Sequence, residues 1–277
     1  MFSYPFMIRA FVAGSLLGAL GGYFGAFVVQ KRMGFLGNGL AHSAFGGVAL
    51  GILLGLDPVA IAIPFTCAVA LSIGALRRRT VLSSDTLTGI LFSVSTALGI
   101  LFLSLTNQYS RDAFAYLFGS ILSVSATDVS IAIILAATAL ATLYKLWGRW
   151  AYAAFDEELA KSDGINVARD NRTLLLLLAL VISVSLKIIG IVLVGAFLVI
   201  PASTARLVAR SFAVVTWLAA ALGAATCVVG LALSWKLDVP AGAAIVLLQF
   251  LVFLIAYASR RRAAGQSAGT ARKFGNS

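Results

Sequence analysis

Charged residues are scarce in this sequence, and their scarcity excludes a water-soluble fold. Asp, Glu, Lys and Arg make up 11% of the 277 residues and hydrophobic residues 61%, with a mean hydropathy of +1.01, whereas soluble domains carry about 25% charged residues. Apolar runs longer than about 18 residues recur along the whole chain, which is typical of membrane-spanning helices. We therefore interpret the chain as an all-α integral membrane protein.

Residues that carry catalytic or metal-binding chemistry are equally few. The chain has one histidine and two cysteines, Cys67 and Cys227, both inside apolar runs. Without a CxxC pair, this excludes a zinc finger or a histidine-rich metal sponge. No GxxxxGKS or GxxxxGKT sequence is present, so the chain cannot hydrolyse ATP through a phosphate-binding loop. HExxH, a nucleophile elbow and DDxxD are also missing, so we predict no enzyme activity and no bound cofactor.

The apolar runs predict a polytopic bundle of eight or nine membrane-spanning helices, each with about 20 apolar residues bounded by charged or turn residues. The clear runs are 6–29, 38–55, 58–76, 85–106, 124–146, 212–234 and 241–258. The stretch 173–205 is too long for one span and slightly short for two. This predicts two short helices separated by a break at 186–190.

Basic residues are concentrated in one of the two sets of loops. The other set holds only Arg9, Arg111, Lys187 and Lys236 of the 21 Lys and Arg residues. Loops rich in Lys and Arg stay in the cytoplasm, which predicts nine crossings with the N-terminus outside and the C-terminus inside. If 173–205 instead dips into the membrane and returns, the number of crossings is lower and the first half of the chain is inverted. The net charge of +11 reflects this orientation, because the short basic clusters do not form the continuous face that nucleic acid requires.

Composition divides the chain into a membrane domain and a tail. Residues 1–262 form the predicted transmembrane domain, and its longest polar connection, 148–172, is cytoplasmic. Residues 263–277 are rich in Gly, Ala and Ser, which is typical of disorder.

Small residues recur at intervals of four in the first helix, at Gly14, Gly18 and Gly22, and in the second, at Gly47 and Gly51. Small residues let membrane helices approach closely. Tight packing is the simpler interpretation, and helix sliding during a transport cycle is the alternative.

Polar side chains inside spans are costly and are therefore candidate functional residues. His42 follows Asn38 by four residues, so an imidazole nitrogen and an amide oxygen lie on one helix face and can both turn toward a passing cation. The simpler alternative is a neutral histidine hydrogen-bonded to a carbonyl group, since two ligands are too few for a tight divalent site. A transport path, however, requires weak and transient sites.

Two features of the stretch 173–205 have more than one interpretation. Lys187 is either a side chain that reaches the outer interface, which is the simpler interpretation, or a charge in a pore. Pro201 interrupts helical hydrogen bonding. It is either a kink or, with Gly190 and Gly195, a gate or hinge.

The cytoplasmic connection contains FDEELAKSDGI, beginning at Phe155. Asp156 and Glu157 suit the first turn of a short helix, where negative charge meets the positive end of the helix dipole, and Gly164 suits its end. Phe155 and Leu159 are apolar residues among charged neighbours. A surface cap and a docking element for a partner are equally good interpretations of these residues alone.

Five passages in order resemble the permease subunits of bacterial zinc, manganese and iron importers of the ATP-binding-cassette (ABC) type, and most of all the zinc-uptake permease. The passages are VVQKRMGFLGNGLAHSAFGGVALGILLGLDP, RDAFAYLFGSILSVSATD, FDEELAKSDGI, LKIIGIVLVGAFLVIPASTARLVARSF and LDVPAGAAIVLL. The resemblance covers almost the whole chain.

This resemblance implies a homodimeric permease that moves a divalent metal ion into the cytoplasm with ATP hydrolysed by a separate subunit. The implied partners are two copies of a cytoplasmic ATPase and an extracytoplasmic metal-binding protein. The short cytoplasmic helix then becomes the element that docks into the ATPase. The matching residues are Phe155, Asp156, Glu158, Leu159 and Gly164. The family usually has proline where this chain has Glu157, a change that can shift the start of the helix.

His42 matches the DxxxH pair of the family, which is thought to meet the metal in the translocation path, but Asn38 stands in place of the acid. The missing negative charge weakens attraction for a divalent ion, and an amide oxygen is a poorer ligand than a carboxylate. Either the pair passes a metal weakly or the role rests on His42 alone. Overall resemblance favours zinc as cargo, then manganese, then iron.

Two hypotheses of other classes compete with the importer. A secondary transporter driven by an ion gradient requires acids inside the membrane, and nearly every acid here lies in a loop or at the end of a span. A membrane scaffold without transport leaves the FDEELAKSDG segment without a purpose.

Overall fold

The computed structural model describes residues 5–106, 116–119 and 124–274, except the side chains of Leu143 and 262–274. Ten α-helices of six or more residues lie within these ranges, which contain no strand. The helices are α1 Pro5–Gln30, α2 Leu36–Leu54, α3 Pro58–Arg79, α4 Ser84–Ser104, α5 Ala126–Phe155, α6 Glu157–Ser162, α7 Val167–Ile189, α8 Ile191–Val208, α9 Phe212–Leu237 and α10 Ala241–Phe274.

Eight of these helices are long and apolar enough to cross a membrane. Helix α5 is bent by 68° next to Leu143. If its two parts together count as one span, the described residues contain nine spans. The predicted all-α membrane bundle is confirmed. The resembling passage RDAFAYLFGSILSVSATD covers residues 111–128, and its parts 111–115 and 120–123 lie outside the described residues.

Helices α1 and α7 form the centre of the bundle. In each, 72% of the most apolar stretch is buried, compared with 22% in α4. Helix α1 has buried residues all around its circumference and contacts α5, α7, α8 and α9. A helix that is apolar all round suits a core or membrane position because it has no face to present to water.

The small residues of α1 pack against α9. A Cβ atom at Gly18 would lie 2.4 Å from the carbonyl oxygen of Gly223, and one at Gly22 would lie 2.0 Å from that of Ala219. Both distances are far shorter than a van der Waals contact, so only glycine lets the two backbones come this close. In α2, a Cβ at Gly47 would likewise meet the backbone of α3. These contacts agree with tight packing.

The predicted break in the stretch 173–205 is confirmed at Gly190, which separates α7 from α8 with a φ of 87°. The two helices have 23 and 18 residues and are longer than the sequence suggested. The reason is that α7 begins at Val167, before the apolar run, where the Asn166 side chain accepts the N–H of Arg169. Each helix is long enough to be a separate span.

The polar connection predicted at 148–172 is mostly helical. Helix α5 continues to Phe155 because Trp150 is buried against the rings of Phe24 and Phe27 in α1, which holds the last turns of α5 on the bundle. The first part of the connection is therefore a helix end and not a loop.

The backbone of α10 continues to Phe274, whereas the composition predicts disorder over 263–277. Alanine, glutamine, arginine and lysine in this segment are strong helix formers and can extend an existing helix. Residues 275–277 lie outside the described part of the chain.

Contacts near the helix ends show that the connections rich in Lys and Arg lie at the same end of the bundle. Lys31, after α1, donates a hydrogen bond to Asn171 in α7, and Arg77 at the end of α3 pairs with Glu157 of α6 at 2.9 Å. Arg206 in the last turn of α8 donates to the last residue of α1. The shared end agrees with the charge count, and this end faces the cytoplasm by the positive-inside rule.

Candidate functional site

The predicted pair Asn38 and His42 lies in the first turns of α2, between α8 and α4. Both residues are half-buried. A Cβ atom at Gly195 in α8 would lie 1.8 Å from Oδ1 of Asn38, so the amide rests directly on the α8 backbone. The His42 ring meets the Phe92 ring of α4 at 60°, with 4.5 Å between the centroids. The missing side chain of Gly195 thus makes room for Asn38.

This pair offers one nitrogen and one oxygen ligand to a cation. Among the described residues, no group of three or more His, Cys, Asp or Glu side chains is placed to hold a metal ion. Two neutral ligands suit brief contact with a moving ion rather than tight binding, and the metal role of the pair stays a prediction.

The three predicted gate or hinge residues lie at different levels of the α7–α8 segment. Gly190 lies against the short described segment 116–119, because a Cβ there would be 2.5 Å from the carbonyl oxygen of Leu117. Gly195 contacts Asn38, and Pro201 is buried within a continuous α8. The first two positions have no room for a side chain, and a gating role for the three stays a prediction.

The cytoplasmic helix α6 begins and ends at the residues that the sequence indicated. Oδ1 of Asp156 accepts the N–H of Leu159 at 2.9 Å and caps the helix. Glu157 is the first helical residue, directly after the capping aspartate, and its charge suits that end of the helix. Gly164 follows the helix with a φ of 80°, while Glu158 is exposed.

Helix α6 is tied to the bundle through Glu157, while Leu159 within it and Phe155 at the end of α5 are exposed. Glu157 pairs with Arg77 of α3 at 2.9 Å and with Lys161 at 3.0 Å. Phe155 is 65% exposed and Leu159 50% exposed. The structure thus leaves these two apolar side chains uncovered by the rest of the described chain, and their docking role stays a prediction.

The Glu157 carboxylate is ionised at neutral pH. Its burial disfavours the charge, but the hydrogen bond from Lys161 and the positive charges of Arg77, Lys161 and Lys31 outweigh burial and lower its pKa. The contact between α3 and α6 is therefore a charged one.

An ion pair at the outer end of the bundle was missed by the sequence analysis. Nζ of Lys187 donates to both carboxylate oxygens of Asp128 at 3.0 Å, and the two side chains are 15% and 9% exposed. Lys187 is thus paired within the protein and does not reach freely toward the interface. Asp128 also closes a capping box with Ser125, and the spacing of three residues between them was the available signal.

Residues 3–260 match the family described as the ABC 3 transport family. The chain belongs to this family. With its apolar helices, it is a multi-pass protein of the plasma membrane and a permease of the ABC type.

Curated relatives cover nearly all of the chain. "Manganese transport system membrane protein MntC" of Listeria monocytogenes is 32% identical over 257 residues, 93% of this chain and 91% of that protein. "High-affinity zinc uptake system membrane protein ZnuB" of Haemophilus influenzae is 32% identical over 259 residues, 94% of this chain and 99% of that protein.

A solved structure has the same fold. It is described as "PsaBC from Streptococcus pneumoniae in complex with Fab", and one of its chains is similar with a TM-score of 0.81 and 33% identity. The match covers 92% of this chain and 91% of that one.

Proposed function

We propose that this permease moves a divalent metal ion, zinc, into the cytoplasm with ATP hydrolysed by a separate subunit. One observation carries the proposal. A short, capped helix at the cytoplasmic end of an ABC-family bundle exposes Leu159, and Phe155 is exposed just before it, at the end of α5. The chain has no phosphate-binding loop of its own. Such a helix suits docking into a groove of a soluble motor.

The proposed assembly contains two copies of this chain, two copies of the ATPase and an extracytoplasmic metal-binding protein. Support for a second copy comes from α4, which leaves most of its apolar side chains uncovered by the rest of the chain. The family and the near-complete coverage of the relatives support the other partners.

A chain of contacts connects the proposed docking helix to the candidate metal pair. Glu157 of α6 is bonded to Arg77 at the end of α3, and α3 packs along α2. Helix α2 carries Asn38 and His42, and Asn38 rests on α8. A movement of α6 is thereby passed to the pair through charged and close-packed contacts, the kind of contiguous connection that coupling between distant sites uses.

The ligands of the pair favour zinc over manganese. Imidazole suits zinc, whereas manganese prefers carboxylate oxygens. Asn38 offers an amide oxygen and no carboxylate at this position. Manganese is the second candidate because the relative from Listeria monocytogenes is named for manganese transport.

The docking role is tested with the double variant Phe155→Ala/Leu159→Ala. We expect metal uptake and transport-stimulated ATP hydrolysis of the assembled transporter to be lost, because the exposed apolar surface offered to the ATPase is removed. The Phe155 ring also meets the Phe212 ring of α9, with 5.6 Å between the centroids, so thermal unfolding of the variant checks that the bundle stays folded. The control is Val81→Ala/Leu82→Ala, two exposed apolar residues in the connection between α3 and α4 at the same end. Normal uptake by the first variant in a folded protein would contradict docking through α6.

The cargo is tested by uptake of radioactive zinc and manganese in a strain that lacks its own importers. We expect the unchanged permease to import zinc and His42→Ala to reduce that import at least tenfold, a loss of about 1.4 kcal/mol in favourable interaction. Asn38→Asp should raise manganese uptake more than zinc uptake, because it restores a carboxylate oxygen. Uptake of manganese alone would refute zinc, and an unchanged rate in His42→Ala would refute the metal pair.

A further inference from the structure

A cavity of about 390 Å³ lies at the cytoplasmic end of the bundle, and its lining does not include Asn38 or His42. The ends of α1 and α3 and the starts of α2 and α7 enclose it, and α6 forms part of its rim. The inner wall is apolar. Its large side chains are Phe27, Met33, Leu36, Ile73, Leu175 and Leu178. A wall of this kind favours a hydrocarbon chain over water.

The mouth of the cavity is strongly positive. The basic residues among its lining are Lys31, Arg77, Arg78, Lys161 and Arg172, and the acidic residue among them is Glu157. Five positive charges and one negative charge leave a net charge of four positive. Glu157 pairs with Arg77 and Lys161. No carboxylate of this lining is therefore left to pair with Lys31, Arg78 and Arg172.

Lys31 is half-buried at the edge of this cavity. Its Nζ donates to the neutral amide oxygen of Asn171. Burial lowers the pKa of Lys31 to about 8, because the lost hydration and the positive charge of Arg77 outweigh the attraction of Glu157 and Asp170. An ammonium group with so little hydration gains from a nearby anion, since an opposite charge replaces the water it has lost.

The position of the cavity matches the headgroup level of the inner leaflet. Its bases stand at the ends of α1 and α3, where apolar spans give way to the cytoplasm. Basic pockets between helices on this side of a membrane attract anionic lipid headgroups. A small soluble anion would use the bases and leave the apolar wall empty.

We propose that this cavity binds an anionic phospholipid of the inner leaflet, with the phosphate headgroup at Lys31, Arg78 and Arg172 and an acyl chain along the apolar wall. The proposal is independent of the transported ion. Because α6 borders the cavity, the bound lipid lies beside the helix proposed to dock into the ATPase.

The full chain in a non-ionic detergent, titrated with phosphatidylglycerol and followed by native mass spectrometry, tests the proposal. We expect Arg78→Gln/Arg172→Gln to bind about 25-fold more weakly, since each base near an anionic lipid surface contributes about fivefold. The matched control, Arg79→Gln/Arg169→Gln, changes the same helices and the same net charge but uses residues outside the lining. It should bind as the unchanged protein does. An equal loss in both double variants would overturn the proposal.

A second variant tests the apolar part of the cavity. A Cβ atom at Gly74 would lie 3.0 Å from the end of the Leu175 side chain, so Gly74→Leu fills space that the acyl chain needs. We expect this variant to lose phosphatidylglycerol without any change of charge. Phosphatidylcholine, which is neutral, and inorganic phosphate, which has no acyl chain, should both bind at least tenfold more weakly than phosphatidylglycerol. Equal binding of either probe, or undiminished lipid binding by Gly74→Leu, would overturn the proposal.

Discussion

Replacing Gly190 with alanine tests whether the junction of α7 and α8 depends on backbone geometry. Gly190 has φ 87° and ψ 153°, a combination that residues with a side chain adopt at a cost of about 1–3 kcal/mol. A Cβ there would also lie 2.5 Å from the Leu117 carbonyl oxygen and 2.6 Å from the Gly119 nitrogen. These are backbone atoms that cannot rotate away, and overpacking of this kind costs about 1–3 kcal/mol more. We expect a total loss of about 2–6 kcal/mol.

Two other glycines separate the strain from the clash. Gly164 has a φ of 80° with no atom near its missing side chain, so Gly164→Ala should lose only about 1–2 kcal/mol from the left-handed conformation. Gly148 lies inside α5 and is also open around its missing side chain. Gly148→Ala should be neutral or gain about 0.5–1 kcal/mol from helix propensity.

The assay is thermal unfolding of the purified protein in detergent, followed by tryptophan fluorescence. A loss of about 2 kcal/mol lowers the midpoint by roughly 4–8 °C in chains of this size. The midpoints should therefore fall in the order Gly148→Ala, unchanged protein, Gly164→Ala and Gly190→Ala. If Gly190→Ala unfolds at the same temperature as Gly148→Ala, the geometric reasoning is wrong.

Two further predictions concern the ion pairs at the two ends of the bundle. Lys187→Met leaves the buried Asp128 carboxylate unpaired and should cost about 3–5 kcal/mol, whereas Asp128→Asn/Lys187→Met should cost less; equal losses in thermal unfolding would show that the pair is not coupled. The folded state lowers the pKa of Glu157 below its ordinary value of 4.5. The pairs of Glu157 with Arg77 and Lys161 therefore stabilise the protein fully at pH values above 4.5, and this stabilisation is lost as the pH falls through the lowered pKa. Glu157→Gln should therefore show a smaller drop in unfolding midpoint on acidification below about pH 4.5 than the unchanged protein, and an identical pH profile would refute the assignment.

The fold was largely predictable because its signals are local. An apolar run long enough to span a bilayer must form a helix there, since no water is available to bond its backbone. The cap at Asp156 and the left-handed Gly164 were likewise readable, because each depends on a few neighbouring residues.

The boundaries that were not predicted depend on residues distant in sequence. Helix α5 extends past Gly148 because Trp150 finds a pocket against α1. Lys187 had two interpretations because its partner Asp128 lies 59 residues away. No pattern within a single helix contains either contact.

The sequence by itself determined that this is a helical membrane protein and which end of the bundle carries the basic connections, because hydropathy and charge are properties of the chain alone. Only the tertiary structure decided that Asn38 rests on Gly195, that Glu157 connects α6 to α3, and that five bases from four segments surround one amphipathic cavity. Such juxtapositions arise from how the helices pack, and packing is settled by the three-dimensional fit of surfaces that lie far apart along the chain.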